Sequence, residues 1–344
     1  MIRVNQQLCK LFDWIVTLSK WCSESGRRQK LENDRNEHEK QEVWLNLWEI
    51  HNYGLPLPQA AGMYNYLKKM NKVTLQNDHI QASFIEYGAA LTQLDLIRGT
   101  ARQSLVLGYL DASSYKLQSN PYFGAIVGRS CNRTSRGKFG LAGSEYQLAI
   151  NNGPNNLHGG IAGLDKQIWT ANKVSESELE FSFLSPNMQE GYPGTVFFTI
   201  CYSLVQSSLK ISFNAKLIAD AQETYVNLTA HSYFNLNIGL NGCQNILEDH
   251  QFLMHDIDSL LEINDVQIPT GRIILQKDEP EMFFTEPSII GDRIHRKYIQ
   301  STLGYDHFYF LNSPCSYVSI FNKISGIGMK VTTDARGFQF YSTL

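Results

Sequence analysis

From Val73 onward, apolar and polar residues of the 344-residue chain alternate with a period of two. The segment LKISFNAKL places five apolar side chains on one face: Leu209, Ile211, Phe213, Ala215 and Leu217. TVFFTICYSLV repeats the pattern, and LEFSF and FIEYGAALTQLDL are shorter examples. Half-buried antiparallel strands produce this alternation, and strands do not alternate with helical segments, which argues against a doubly wound parallel sheet. The chain is therefore predicted to be all-β, a large antiparallel β-sandwich.

The first 71 residues have a different pattern. Apolar residues recur at helical spacing in three groups: Leu8, Leu11, Ile15 and Leu18; Val43, Leu47 and Ile50; Ala60, Met63 and Leu67. A mixed-charge run, ESGRRQKLENDRNEHEKQE, separates the first two groups and is typical of a solvated helix face or a linker. These features predict a helical N-terminal extension over residues 1–71, followed by a β-sandwich domain over residues 72–344.

Composition limits the possible partners. The net charge of −3 argues against nucleic acid or an anionic membrane surface as the main partner. No apolar run reaches the length of a membrane span, and LFDWIV is a poor secretory signal because Asp13 interrupts it. The six cysteines form no close pair, so no zinc or redox motif is present, and free thiols indicate a cytoplasmic protein. No metal or cofactor is expected, and the oligomeric state is left open.

Two histidines lie in segments that do not resemble strands. His158 lies in the segment NNGPNNLHGG, in which Gly159 and Gly160 would allow the backbone to approach a ligand. It is equally well explained as a surface histidine in a loop. His231 lies in NLTAHSYFNLN among aromatic and amide side chains, where a buried structural histidine is the simpler interpretation.

Further polar groups occur in similar contexts. GRSCNRT contributes Asn132 and Arg133, and GYDHFYF contributes Asp306 and His307. Glu190, in the turn-like segment SPNMQEGYPG, would most often be solvated. Aromatic faces combined with planar hydrogen-bonding groups suit a neutral sugar, and histidine transfers protons near neutral pH. Sugar chemistry is a reasonable hypothesis on this basis.

Six segments in order along the chain resemble the aldose 1-epimerase, or galactose mutarotase, family. They are YFGAIVGRSCNRT, KFGLAGSEYQLAINNGPNNLHGG, SPNMQEGYPG, VNLTAHSYFNL, IPTG and GYDHF. The resemblance covers about residues 73–344. It implies a galactose mutarotase-like supersandwich fold. It also implies an enzyme that interconverts the α and β anomers of free hexoses such as galactose and glucose, without metal or nucleotide.

The resemblance also implies roles for individual residues. Arg133, with Asn132 beside it, resembles the sugar-contacting arginine of the family, and Asp306 resembles the carboxylate that binds sugar hydroxyls. His158 resembles the first active-site histidine. The adjacent Gly159 and Gly160 are expected to let the backbone approach the sugar. His231 resembles the second histidine, the general acid that protonates the ring oxygen. A neighbouring carboxylate would favour the charged form of His231.

One part of the family pattern is not found. The resemblance places the catalytic base on a glutamate in a strand beyond the equivalent of FQFYSTL, and the chain ends at Leu344. This predicts a domain without the last strands of the family and without its base. The helical extension is not expected to replace them, because a helix cannot supply the backbone hydrogen bonds of a strand.

Three functions therefore remain open at this stage. The first is an aldose 1-epimerase, in which loss of the base would lower the rate by orders of magnitude. The second is a catalytically impaired or vestigial sugar-binding protein of the same fold. The third is a hexose-phosphate epimerase, for which Arg129, Arg133 and Arg136 would supply a phosphate site.

Overall fold

The computed structural model describes residues 72–117, 119–238, 246–294, 302 and 304–342, together with the backbone of residues 2–5, 9–11 and 15–18. Nearly all regular structure in these residues is β. The one α-helical segment among them is α1 (Ile246–Asp249). Short 3₁₀ turns occupy Ser113–Lys116, Ser135–Gly137, Leu164–Lys166, Gln189–Gly191, Pro280–Met282 and Ile290–Arg293.

The strands up to residue 157 are β1 (Ile2–Asn5), β2 (Cys9–Leu11), β3 (Ile15–Leu18), β4 (Lys72–Gln76), β5 (Ile80–Ile85), β6 (Ala90–Arg98), β7 (Ala101–Ser104), β8 (Ile126–Val127), β9 (Arg133–Thr134), β10 (Lys138–Leu141), β11 (Ser144–Gln147) and β12 (Asn156–Leu157). The later strands are β13 (Thr170–Ser175), β14 (Glu178–Ser185), β15 (Thr195–Val205), β16 (Ser208–Ala219), β17 (Glu223–Val226), β18 (Thr229–Ala230), β19 (His250–His255), β20 (Ser259–Ile263), β21 (Pro269–Leu275), β22 (Ser288–Ile289), β23 (Asp306–Phe310), β24 (Tyr317–Asn322), β25 (Ile327–Val331) and β26 (Gly337–Ser342).

Four larger sheets are formed mostly by antiparallel pairs of strands, and many of the paired strands follow one another in the chain. Their strand orders are β4-β5-β6-β7, β13-β14-β15-β16-β2, β22-β19-β24-β25 and β21-β20-β23-β26-β3. One continuous hydrophobic core joins residues from all four sheets. The alternation predicted for β16 is present, since Ile211, Phe213, Ala215 and Leu217 are buried while Lys210 is exposed. The structure therefore has the predicted all-β class and antiparallel pairing.

The N-terminal segment differs from its prediction where the structure describes it. Leu11, Ile15 and Leu18 were expected on a helix, but they lie in β2 and β3. Strand β1 pairs with β17, β2 pairs with β16, and β3 runs parallel to β26. The helical interpretation is wrong for these strands, because a free sheet edge satisfies backbone N–H and C=O groups that no periodicity of side chains reveals. The remaining residues of the predicted extension, and its helical groups at 43–50 and 60–67, lie outside the described residues.

Strands β23 and β26 present a polar face on one side and a core face on the other. They pair antiparallel, with Asp306 opposite Tyr341 and Phe308 opposite Gln339. Since side chains of directly paired residues point to the same face, these four share one side of the sheet. The intervening Phe338 and Phe340 are buried in the core. This alternation directs a carboxylate and an amide into the same surface cleft.

Candidate active site

A single cleft gathers the five site residues that the sequence predicted. It has a volume of about 230 Å³, just below the roughly 300–1,000 Å³ of pockets that hold drug-sized ligands. Its wall consists of Pro121, Tyr122, Cys131, Asn132, Arg133, Leu157, His158, Asn227, Thr229, His231, Tyr233, Asp306, Phe308, Gln339 and Tyr341. All five predicted site residues are in this set, although they come from four separate parts of the chain. The cleft therefore suits a small molecule with both apolar and hydrogen-bonding surfaces.

The Asp306 carboxylate is the most heavily hydrogen-bonded group of the cleft. Gln339 Nε2 donates to Oδ1 at 2.6 Å, and Gln267 Nε2 donates to Oδ2 at 2.9 Å. Arg133 Nη1 lies 3.5 Å from the same Oδ2. Burial raises the pKa of Asp306, and the charge of Arg133 together with the two amide donors partly opposes that rise. The carboxylate is therefore held in one orientation by three side chains from separate parts of the chain.

Asn132 connects this polar group to His158. Its backbone N–H donates to His158 Nδ1 at 3.1 Å, and the His158 backbone N–H donates to Asn132 O at 3.2 Å. The Asn132 side chain also donates to Gln339 Oε1 at 3.2 Å. Because His158 Nδ1 accepts a hydrogen bond, the neutral ring carries its proton on Nε2. His158 thus offers the cleft an N–H donor.

His231 lies against His158, with ring centroids 5.2 Å apart and ring planes at 89°. Its backbone is fixed on both sides, because its N–H donates to Ala125 O at 2.9 Å and its C=O accepts from Gly124 N at 2.9 Å. The ring atom Nδ1 is buried without a hydrogen-bond partner among the described residues. His231 therefore lines the cleft with a ring whose Nδ1 is closed off from solvent.

Both imidazoles are neutral near pH 7. Burial lowers the pKa of His231 to about 4. Burial also lowers the pKa of His158, and the positive charges that His231, Arg133 and Lys166 can carry lower it further. A neighbouring carboxylate was expected to favour charged His231, but no carboxylate in the described part of the chain contributes to its shift, and burial lowers its pKa.

The loop glycines have a different role from the one expected. A Cβ on Gly159 would lie 1.9 Å from Gly128 O, and one on Gly160 would lie 2.1 Å from Glu190 Oε2. Neither glycine lines the cleft. They allow the loop to pack against protein rather than against a ligand. The cleft residue is His158 itself, which adopts a left-handed backbone with φ of 55°, a conformation that non-glycine residues rarely use.

Comparison with known proteins identifies the family. A family model described as aldose 1-epimerase matches residues 71–343. The galactose mutarotase of Sus scrofa is 37% identical over 292 residues, which cover 83% of this chain and 79% of that protein. The galactose mutarotase of Homo sapiens is 34% identical over the same shares. This chain belongs to the aldose 1-epimerase family.

Solved structures show the same fold. The GalM/aldose epimerase homologue from C. elegans superposes with a TM-score of 0.68 at 24% identity, over 78% of this chain and 80% of that one. Galactose 1-epimerase from Lactobacillus acidophilus NCFM gives 0.62 at 23% identity, over 73% and 74%. The predicted galactose mutarotase-like fold is therefore confirmed, and the chain is a member of an isomerase family.

In this aldose 1-epimerase homologue, the residues that were not predicted include three that hold or pack against the predicted ones. Gln339 holds both Asp306 and Asn132, and Gln267 holds Asp306 from the turn before β21. Tyr122 packs against His158 and His231, with ring centroids 4.8 and 5.5 Å away. A polar residue between Phe338 and Phe340 was a usable signal for Gln339. Tyr122 begins the segment YFGAIVGRSCNRT and Gln267 directly precedes IPTG, but neither side chain was itself singled out.

Other ionisable residues that the sequence singled out face away from the cleft. Arg129 is 2% exposed and donates to backbone oxygens of the 185–193 segment. Arg136 is exposed to solvent. Of the three arginines considered for a phosphate site, Arg133 lines the cleft and the others do not. His307 is buried beside the site, where burial lowers its pKa to about 4.

Two further properties concern the described part of the chain. Within it, no group of three or more histidine, cysteine, aspartate or glutamate side chains is arranged to hold a metal ion. None of its helices has the length and apolar character needed to span a membrane.

Proposed function

We propose that this protein interconverts the α and β anomers of a free aldose, galactose or glucose, in the cleft between His158 and Asp306. The observation that carries the proposal is the convergence of two neutral imidazoles with an arginine–carboxylate pair in one small cleft. The curated relatives are named galactose mutarotases, which supports a hexose as the substrate. We place the activity in the cytoplasm.

Sugar binding uses the fixed polar groups of the cleft. Asp306 accepts hydrogen bonds from sugar hydroxyls, while Arg133, Asn132 and the Nε2–H of His158 donate to sugar oxygens. These groups are already oriented by their neighbours, so little conformational entropy is lost when the sugar arrives. Tyr122, beside both imidazoles, gives the C–H face of the ring an apolar surface.

The reaction is a pair of coupled proton transfers. A base takes the proton of the C1 hydroxyl, the bond between C1 and the ring oxygen breaks, and His231 gives a proton to that oxygen. The aldehyde end then rotates, and closure from its other face returns both protons. With a pKa of about 4, His231 is mostly neutral at pH 7 and must take up a proton before it can give one to the ring oxygen. A positioned proton transfer contributes about 10²–10⁴ in rate when the group is in the right protonation state.

Polarimetry tests this function directly. Freshly dissolved α-galactose relaxes to its equilibrium rotation slowly in buffer, and the protein should increase the relaxation rate in proportion to its concentration. His231→Ala should remove most of the increase. A wild-type rate equal to that of buffer, with protein that binds galactose, would rule out the catalytic part of the proposal.

One observation favours a second candidate, a sugar-binding protein with little or no epimerase activity. Among the described cleft residues Asp306 is the one carboxylate, and its two oxygens already accept three donors. It is thus better suited to binding hydroxyls than to removing a proton. Calorimetric titration with galactose separates the two candidates, because the second requires binding without faster mutarotation.

A further inference from the structure

Glu190 lies outside the cleft but contacts the loop that carries His158. Its Oε2 accepts the backbone N–H of Ile161 at 2.9 Å, and its Oε1 accepts that of Ala162 at 3.0 Å. One carboxylate therefore binds two consecutive N–H groups, three and four residues after the histidine. Hydrogen bonds from N–H groups to an ionised carboxylate are stronger than those between neutral groups.

The loop is shaped to receive this side chain. Gly160 has φ of 116°, and an added Cβ would lie 2.1 Å from Glu190 Oε2 and 3.0 Å from its Cδ. The carboxyl end of Glu190 therefore lies directly over the glycine backbone. Glu190 itself has φ of 51°, a left-handed conformation that costs free energy and persists only where surrounding contacts impose it.

Arg129 imposes the position of the turn that carries Glu190. Its Nη2 donates to the backbone oxygens of Ser185 at 3.1 Å and Pro186 at 2.7 Å, and its Nη1 donates to that of Pro193 at 3.0 Å. These bonds hold the segment on both sides of Glu190. Because Arg129 is buried and lies three residues before Asn132, the same side chain ties this turn to the segment that supports His158 Nδ1.

We propose that Glu190 is a positioning residue, which holds the 158–162 loop so that the His158 imidazole keeps its Nδ1 on Asn132 and its Nε2–H toward the sugar. The inference rests on the proposed role of His158 in the cleft. Glu190 does not line the cleft and touches no substrate. It acts through the backbone of Ile161 and Ala162, whose N–H groups fix the direction in which the loop leaves His158.

Kinetics of five variants test the proposal. Glu190→Ala should lower kcat/KM about tenfold to a hundredfold, because displacement of a positioned binding group by ~1 Å is enough for such a loss. Glu190→Gln, which keeps one acceptor oxygen, should lie between Glu190→Ala and wild type. In a His158→Ala background, Glu190→Ala should cause no further loss. Glu178→Ala, an exposed glutamate on β14, is the control and should behave like wild type.

A measurement that does not depend on catalysis separates this inference from the proposed function. Long-range ¹H–¹⁵N spectra of protein labelled on histidine report which ring nitrogen carries the proton, and His158→Ala assigns the His158 signals. Wild type should show one tautomer, with the proton on Nε2, and Glu190→Ala should show a mixture. Unchanged His158 signals, or equal losses of kcat/KM with and without His158, would overturn the proposal. Altered signals in a protein without epimerase activity would sustain it while refuting the proposed function.

Discussion

His158 and His231 pack edge to face in the wall of the cleft, with ring centroids 5.2 Å apart and planes at 89°. The two rings are controlled differently: Asn132 fixes the tautomer of His158, whereas Nδ1 of His231 is buried without a partner in the described residues. The proposed division of roles gives hydrogen-bond donation to the first ring and proton transfer to the second. It leads directly to the first prediction.

His231→Ala should reduce the acceleration of galactose mutarotation by about 10²–10⁴, because one positioned proton transfer is lost. The affinity for galactose should change much less, since Arg133 and Asp306 remain in place. Polarimetry and calorimetric titration measure the two quantities on the same samples. The exposed His79 gives the control, His79→Ala, which should be unaffected. A His231→Ala protein with wild-type kcat would contradict the assignment.

Gln267→Ala should weaken galactose binding as the pH is lowered. The amide of Gln267 favours the charged form of Asp306, so its removal raises the pKa of that carboxyl further. Binding that requires the carboxylate will then be lost at a higher pH than in wild type. Titrations of galactose affinity between pH 4 and 7 measure the midpoint. The exposed Asp265, in the same turn, provides the control Asp265→Ala, and coincident midpoints for Gln267→Ala and wild type would refute the prediction.

Two glycines of the 151–160 loop allow a matched comparison of stability. Both Gly153 and Gly159 have positive φ, at 53° and 86°, so an alanine costs about 1–2 kcal/mol at either position. A Cβ at Gly159 would also lie 1.9 Å from Gly128 O, whereas at Gly153 nothing lies within 4 Å. Gly159→Ala should therefore lower the free energy of unfolding clearly more than Gly153→Ala. Urea titration measures both, and equal losses would contradict the packing argument.

The free energy of unfolding should fall as the pH drops from about 6.5 to 4. His231, His250 and His307 each have a pKa near 4 in the folded protein because they are buried, against about 6.5 in the unfolded chain. Between these values the unfolded chain binds protons that the folded chain does not, so acid favours unfolding. Each imidazole contributes up to about 3 kcal/mol to this loss.

His250 allows that pH dependence to be tested away from the cleft. Its Nε2 accepts the Leu236 N–H at 3.0 Å, and its Nδ1 lies 3.2 Å from Ile246 O, so the buried ring is held in its neutral form. His250→Asn should lower stability at pH 7 and flatten the slope of stability against pH. His79→Asn should leave the slope as in wild type. An unchanged slope in His250→Asn would show that this imidazole does not drive the acid loss.

Much of the fold was predictable from local patterns. The alternation of β15 and β16 predicted their core faces, because side chains of a strand point to opposite sides whatever its neighbours are. Asn132, Arg133, His158, His231 and Asp306 were identified from short motifs. Their roles in the reaction stay predictions, whereas their common location in one cleft is now a structural fact.

Local sequence patterns were enough to predict an all-β sandwich and the chemical groups available to a sugar site. Tertiary structure alone decided that β1, β2 and β3 pair with distant strand edges, that Gln267 and Gln339 orient Asp306, and that burial keeps both cleft histidines neutral. The two kinds of feature differ in how far apart along the chain the interacting groups lie. Side-chain alternation is set by neighbours in the chain, whereas edge pairing, desolvation and hydrogen-bond partners depend on groups that only folding brings together.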